Sequence, residues 1–275
     1  MEDETSNSKG GHLVIVGNGI AGITLATELR NRSNIKITVI SAESPYHFSR
    51  PGLMYLPLGQ LTLESLYPYE GWFWAENKID LEFAFVESVD TQAKLVSVRD
   101  VAGGSPREIA YSQLVLACGA TPSKLGVQYE DTIEGVCNFC SLADLKHLEA
   151  VLPGAKKAVV IGGGLIGVEV LEIFRKHNIE VTSIIRDNRY WASTLSPRES
   201  ELVVSEILGH GVKMIKGATV SQFLGGKSLR GVALSSGENI DCDIAVVAVG
   251  VTPNTKLAVS AGVATNRGFL VDRQF

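Results

Sequence analysis

Apolar residues crowd into short runs along this chain, and the spacing changes wherever a run meets glycines. "HLVIVGNG" (residues 12–19) has the unbroken apolar pattern of a buried strand. In "IAGITLATELRNR" the residues Ile20, Leu25 and Leu29 recur at helical spacing, and "NIKITVIS" is a β-branched strand. Together they predict a βαβ unit with a right-handed crossover. From "ESPYHFSRPGLMYLPLG" to about Asn77 prolines and aromatics predict loops with short helices. "IDLEFAFVESVD", "KLVSVRD" and "EIAYSQLVLACG" then read as strands, and "SLADLKHLEAVL" as a helix running to a boundary at Pro153 and Gly154. At Lys156 the pattern restarts. "KAVVIGGG", the helix "LIGVEVLEIFRKHN" and the strand "IEVTSIIRD" repeat the first unit 145 positions on, Gly162 standing for Gly17. A helix, "PRESELVVSEILGHG", and several short strands ending in "DIAVVAVGVTPN" follow. The expected fold is α/β: two Rossmann-like three-layer units, the second inserted into the first.

Composition narrows this reading without redirecting it. A 45% hydrophobic and 20% charged chain of 275 residues buries real cores, which excludes wholesale disorder. A net charge of −5 makes no electrostatic case for nucleic acid or an anionic membrane surface. The polar opening, "MEDETSNSKGG", lacks the flanks of a signal peptide, so residues 1–11 are expected to be a disordered lead-in. No apolar run reaches membrane-span length, and four cysteines do not make a disulfide scaffold, so the expectation is a cytoplasmic protein.

Gly17, Gly19 and Gly22 fit G-x-G-x-x-G, and so do Gly162, Gly164 and Gly167. In that motif the first glycine permits a tight turn, the second lets backbone approach a pyrophosphate, and the third lets helix pack on strand. The helix start adds free N–H groups and partial positive charge. Two dinucleotides held by one chain suggest a flavin and a nicotinamide exchanging a hydride.

The segments "VIVGNGIAG", "ITVISAE", "YHFSRPGL", "YSQLVLACGATP", "VVIGGGLIGVEV" and "DIAVVAVGVTPNT" run in order from His12 to Thr255. In this order they resemble the FAD/NAD(P)-dependent pyridine-nucleotide oxidoreductases, most of all the ferredoxin- and rubredoxin-reductase-like branch that includes the flavin part of nitrite reductases. The resemblance implies an FAD-binding domain at 12–150, continued by 251–275, and an NAD(P)-binding domain at 151–250. It gives Gly17, Gly19, Ile20, Ala21 and Gly22 to the FAD pyrophosphate. Glu43, with Ser41 in the nearest slot, falls to the adenosine ribose, Arg50 beside Pro51 to the flavin nucleotide, and Val86 to the adenine. In the turn of Ala117, Cys118 and Gly119 the cysteine replaces a usual threonine, which leaves the backbone contact of Gly119. For the nicotinamide coenzyme it implies Gly162, Gly164, Leu165, Ile166, Gly167 and Gly250, with Glu169 near the nicotinamide–flavin contact, where a helix-dipole role is the alternative. Ile185 fills the slot where NAD-specific relatives carry an acid. Arg186 and Arg189 suit a 2′-phosphate and lean the choice toward NADPH; Asp187 between them suits a 2′-hydroxyl and keeps NADH open.

Disulfide reductases of this superfamily carry C-x-x-x-x-C after the first glycine turn, and no cysteine stands there in this chain. The reading is therefore a flavin-dependent NAD(P)H oxidoreductase that passes electrons directly to a protein or small-molecule acceptor. Cys137 and Cys140, spaced C-x-x-C, keep a dithiol reductase open; a zinc site lacks a second ligand pair, so no metal is expected. Cys118 and Cys242 are expected to be core thiols. The chain stops at "GFLVDRQF", before the A-G-D turn and C-terminal domain of relatives. Truncation is the expectation, with a completing partner subunit or a lost flavin as alternatives; a non-catalytic nucleotide-binding subunit is the rival function.

Overall fold

The computed structural model describes residues 11–274 except 129 and 131, so the expected lead-in lies outside the described residues apart from Gly11. The first unit runs β1 (His12–Val16), α1 (Ile20–Arg30), β2 (Lys36–Ser41), α2 (Gly71–Glu76), β3 (Ile79–Asp90), β4 (Leu95–Asp100), β5 (Arg107–Ala110) and β6 (Gln113–Leu116). After the connecting strand β7 (Ala120–Pro122) come β8 (Val136–Cys137), α3 (Leu142–Val151), β9 (Lys157–Ile161), α4 (Leu165–Lys176) and β10 (Glu180–Ile185). The chain continues through α5 (Pro197–Gly209), β11 (Lys213–Lys216), β12 (Val220–Gly225), β13 (Leu229–Leu234), β14 (Asn239–Asp241) and β15 (Ile244–Val247). β16 (Val251–Pro253) and α6 (Lys256–Ser260) come last.

These elements form two compact units. The first holds residues up to Arg50, Leu63–Ala120 and those from Pro253 on; the second holds Pro51–Thr62 and Thr121–Thr252. In chain order the second is therefore inserted into the first. The turn at Pro153 and Gly154 lies inside the second unit, because β8, ahead of it, pairs with β15.

The first sheet has the order β5-β4-β3-β2-β1-β6. β3, β2, β1 and β6 are parallel, while β4 and β5 add an antiparallel meander. Alternation sets the two faces. Leu13, Ile15, Ile37 and Val39 pack against Ile23 and Ala26 of α1, whereas Val14 and Ile40 point the other way, toward Val96 and Val98. Ile20 and Leu25, expected on the buried stripe of α1, are exposed, and Gly22, Ile23 and Ala26 are buried instead. At Gly22 the helix comes so close to the preceding turn that no side chain fits. A Cβ on Gly22 would lie 2.0 Å from the Gly17 carbonyl oxygen. "EIAYSQLVLACG" is two strands, since at Ser112 the chain leaves β4 and its N–H turns to the His12 carbonyl.

The second sheet, β11-β10-β9-β15-β8, is wholly parallel. One face carries Val159, Ile161, Ala245 and Val247 against the three-stranded sheet β12-β13-β14, chiefly Phe223, Val232 and Leu234. α4 buries Val170, Leu171, Ile173 and Phe174. In both sheets the strand before the glycine turn has its crossover partner on one side and a later strand on the other. That is a topological switch point, and the crevice beyond the carboxyl ends of such strands is where α/β sheets bind ligands.

Candidate dinucleotide sites

In the first unit the tight turn is built on Gly17, at φ +112°, whose N–H donates to the Ile40 carbonyl at 2.8 Å. A Cβ there would stand 2.1 Å from the Ala117 carbonyl oxygen, so the turn is wedged between β2 and β6. Gly22 is equally blocked, but a Cβ on Gly19 would meet nothing within 4 Å. Ile20, next in line, is 73% exposed, and Ala21 is exposed beside it. The second turn repeats this division. Gly162 (φ +128°) is blocked by the Ala248 carbonyl at 2.2 Å and Gly167 by the Gly162 carbonyl at 2.8 Å, while Gly164 is open and Leu165 exposed. Ile166 is half-buried.

Capping separates these helices from their neighbours. α3 and α5 begin on capping boxes, Ser141 with Asp144 and Ser196 with Glu199. α1 and α4 begin on Gly19 and Gly164 with no side-chain cap. Their first N–H groups stay available to an anion. A dinucleotide diphosphate fits both cradles: two blocked glycines shape each turn, one open glycine admits the phosphates, and uncapped N–H groups face them.

Residues after β2 meet around the first turn. Asn18, buried, donates Nδ2–H to the Ser44 carbonyl at 2.8 Å, and the buried His47 places Nδ1 2.7 Å from the Asn18 carbonyl. Burial holds the His47 pKa below the usual imidazole value; the Asn18 bond opposes that shift and nearby Arg50 adds to it. Ser41 Oγ accepts the Glu43 N–H at 3.3 Å, so Ser41 shapes the turn that carries Glu43. Arg50 grips Glu43 at both carboxylate oxygens (3.1 and 2.6 Å) and lies over the Phe48 ring. The two residues expected on separate parts of a flavin nucleotide are thus ion-paired to each other. Pro51 is exposed at the start of the short 3-10 turn Arg50–Tyr55. Val86, half-buried on β3, precedes a bulge in the pairing with β4. Cys118, half-buried, sits in a turn and not in a strand, and burial raises its thiol pKa. Asn254 holds that turn, Nδ2 donating to the Cys118 carbonyl at 2.9 Å and its backbone N–H to that of Gly119 at 3.0 Å.

Around the second turn, Trp191 N–H donates to the Gly163 carbonyl at 2.7 Å and the buried Tyr190 hydroxyl to the Gly164 carbonyl at 3.2 Å. Arg186 is strongly exposed at the tip of β10, its guanidinium 3.7 Å from Asp187. Arg189 folds back on its own loop, donating to the Leu195 and Ala192 carbonyls at 3.3 Å each. Of the two arginines, then, Arg186 presents its charge outward. Gly250, at φ +113°, accepts the Ser123 N–H. Burial, with Glu172 adding, raises the pKa of the half-buried Glu169 carboxyl.

The sequence motifs do not flag Asn18, His47, Tyr190, Trp191 or Asn254. Their signals were faint, a "GNG" in place of smaller residues and the polar–aromatic "YHF" and "RYW". A cleft of about 300 Å³ edged by Lys157, Glu180, Lys213 and Asp241 lies at the amino ends of the second unit's strands, away from its glycine turn. It plays no part in these sites.

Comparison with known sequences decides the family. A sequence model described as pyridine nucleotide-disulphide oxidoreductase matches residues 11–275. The chain belongs to that family. It is 32% identical to the rubredoxin-NAD(+) reductase of Pseudomonas putida over 95% of this chain and 68% of the relative. It is 30% identical to a nitrite reductase [NAD(P)H] of Bacillus subtilis, covering 94% of this chain and 32% of that one. Among solved structures it resembles a ferredoxin reductase from Rhodopseudomonas palustris, with TM-score 0.89 and 30% identity, over 96% of this chain and 65% of that one. The chain thus spans about two thirds of the rubredoxin and ferredoxin reductases and about one third of the nitrite reductase. Despite the family's name, no cysteine lies in α1 or the turn before it. Cys137 is buried on β8 and its thiol pKa is pushed up to about 12, mainly by burial, which disfavours a reactive thiolate. Cys242, also buried, is likewise pushed up to about 12. Among the described residues no helix is long and apolar enough to cross a membrane.

Proposed function

We propose that this protein is a cytoplasmic flavin-dependent NAD(P)H oxidoreductase that passes electrons to an acceptor without a redox disulfide. The observation that carries this reading is the duplication itself: two glycine turns with the same blocked, open and blocked glycines, each at a switch point among the parallel strands of its own sheet. When bound, FAD supplies hydride uptake from a nicotinamide and onward release of electrons.

The chain's own residues bind and orient. In the first unit the Gly19 N–H and the start of α1 would hold the FAD diphosphate. Glu43 would take the ribose hydroxyls, with Arg50 holding Glu43 in place through paired hydrogen bonds to its carboxylate. In the second unit Gly164 and α4 would hold the diphosphate of the nicotinamide coenzyme. The exposed Arg186 favours the 2′-phosphate of NADPH, and Asp187 is the group a 2′-hydroxyl would use. The names of the relatives point to a protein acceptor of the rubredoxin or ferredoxin kind.

The test is a titration of the purified chain with FAD, followed by flavin fluorescence. Saturable quenching at micromolar FAD, with NADPH-dependent reduction of an artificial acceptor, is the expected result. Binding of NADPH with no binding of FAD would replace this reading by a non-catalytic nucleotide-binding subunit.

A further inference from the structure

Both glycine turns carry a second feature that the motif does not describe. The residue between the first and second glycines is Asn18 in one turn and Gly163 in the other. Each has its carbonyl held by a donor from the loop after the unit's second strand. His47 Nδ1 reaches the Asn18 oxygen at 2.7 Å, and the Trp191 N–H reaches the Gly163 oxygen at 2.7 Å. The donors are at the same remove: His47 is the sixth residue beyond Ser41 and Trp191 the sixth beyond Ile185, the last residues of their strands. One uses a side chain and the other the backbone, so the shared element is the hydrogen bond and not the residue type.

A trans peptide points the C=O of one residue and the N–H of the next in opposite directions. Holding the Asn18 carbonyl toward His47 therefore aims the Gly19 N–H away from His47, into the open side of the cradle. Among the described residues the N–H groups of Gly19 and Gly164 have no internal acceptor, so they remain free for a phosphate oxygen. A carbonyl oxygen only accepts, so His47 Nδ1 must carry the proton. Donation to the carbonyl also polarises the peptide and strengthens its N–H as a donor. Asn18 is fixed from its other end by the Ser44 carbonyl.

We propose that His47 is a positioning residue for the flavin diphosphate: its Nδ1–H locks the Asn18–Gly19 peptide so that the Gly19 N–H faces the phosphates, the task that the Trp191 backbone performs at the second turn. This rests on the assignment of FAD to the first turn, and it predicts a separation that general destabilisation would not give. Asn can place an amide N–H close to where His47 has Nδ1, whereas Leu has a similar outline and no donor.

The experiment measures FAD affinity of the full chain by flavin fluorescence for wild type, His47→Leu and His47→Asn, with NADPH affinity as the reference for an intact second turn. His47→Leu is expected to weaken FAD by about tenfold or more, the order of one charge-assisted hydrogen bond, with NADPH unchanged. His47→Asn should stay within about threefold of wild type on that same scale. Wild-type affinity in His47→Leu, or an equal loss in both variants, would overturn the proposal while leaving the flavin assignment intact. If His47→Leu does not fold, His47→Asn decides alone: near-wild-type affinity supports the lock and a tenfold loss overturns it. A wild type that binds no FAD removes the flavin assignment, and this proposal with it.

Discussion

Gly17 and Gly19 differ in what a methyl group would meet. At Gly17 a Cβ would collide with the Ala117 carbonyl at 2.1 Å, in a left-handed conformation that alanine resists. At Gly19 it would meet open space, at an ordinary φ of −67°. Gly17→Ala should therefore cost several kcal/mol of stability, on the order of a strained, overpacked core site, seen as a large fall in Tm. Gly19→Ala should leave the cofactor-free chain within about 1 kcal/mol of wild type and still lose FAD affinity, because the methyl occupies phosphate space. A Gly19→Ala variant with unchanged FAD binding would show that the diphosphate lies elsewhere. Arg186 yields a coenzyme prediction. Only NADPH offers a 2′-phosphate, so Arg186→Ala should raise the KM for NADPH by about tenfold or more, the worth of a charge-assisted hydrogen bond, and barely change that for NADH. Equal changes in steady-state assays would leave Arg186 with no part in the choice. At this scale the glycines were legible because their constraint is steric and local. Arg189 was not, because its use depends on a loop that curls back to offer the Ala192 and Leu195 carbonyls. His47 and Asn254 act through hydrogen bonds between segments far apart in sequence, which no local pattern records.

The elements themselves were mostly open to pattern reading, since each βαβ unit couples an apolar strand, a glycine turn and a helix in a fixed order. The exceptions have packing causes. The buried side of α1 carries Gly22, Ile23 and Ala26, two of them small, so a search for large apolar residues at helical spacing picks the exposed Ile20 and Leu25. "EIAYSQLVLACG" is uniformly strand-like in composition, and the change of partner at Ser112 comes from tertiary pairing alone. β8 makes the element-scale prediction. It holds Cys137 inside the sheet beside β15, and Cys140 leads into the capping box of α3. If neither cysteine carries electrons, the double change Cys137→Ser and Cys140→Ser leaves flavin reduction by NADPH intact. Transfer to an artificial one-electron acceptor should stay within about twofold, less than roughly half a kcal/mol of barrier. Acceptor reduction lost while flavin reduction persists, followed spectrophotometrically, would put the protein among dithiol reductases.

At the scale of the whole molecule the chain is a duplication with an insertion: a mixed sheet whose first glycine turn opens α1, and within its sequence a parallel sheet whose second turn opens α4. The repeat interval was visible in the glycines. The placing of Pro51–Thr62 and Thr121–Thr252 in the inserted unit was not, because it depends on pairing such as β8 with β15 and on contacts such as His177 Nε2 with the Pro57 carbonyl. The central claim is that the two turns serve two different dinucleotides, one reducing the other. Its most direct measurement is an anaerobic titration of the FAD-loaded chain with NADPH, followed by the yellow absorbance of the flavin. The account predicts that the colour bleaches in step with added NADPH, at one coenzyme per flavin, and returns when an electron acceptor is admitted. Bound FAD whose colour survives an excess of both NADPH and NADH would contradict it.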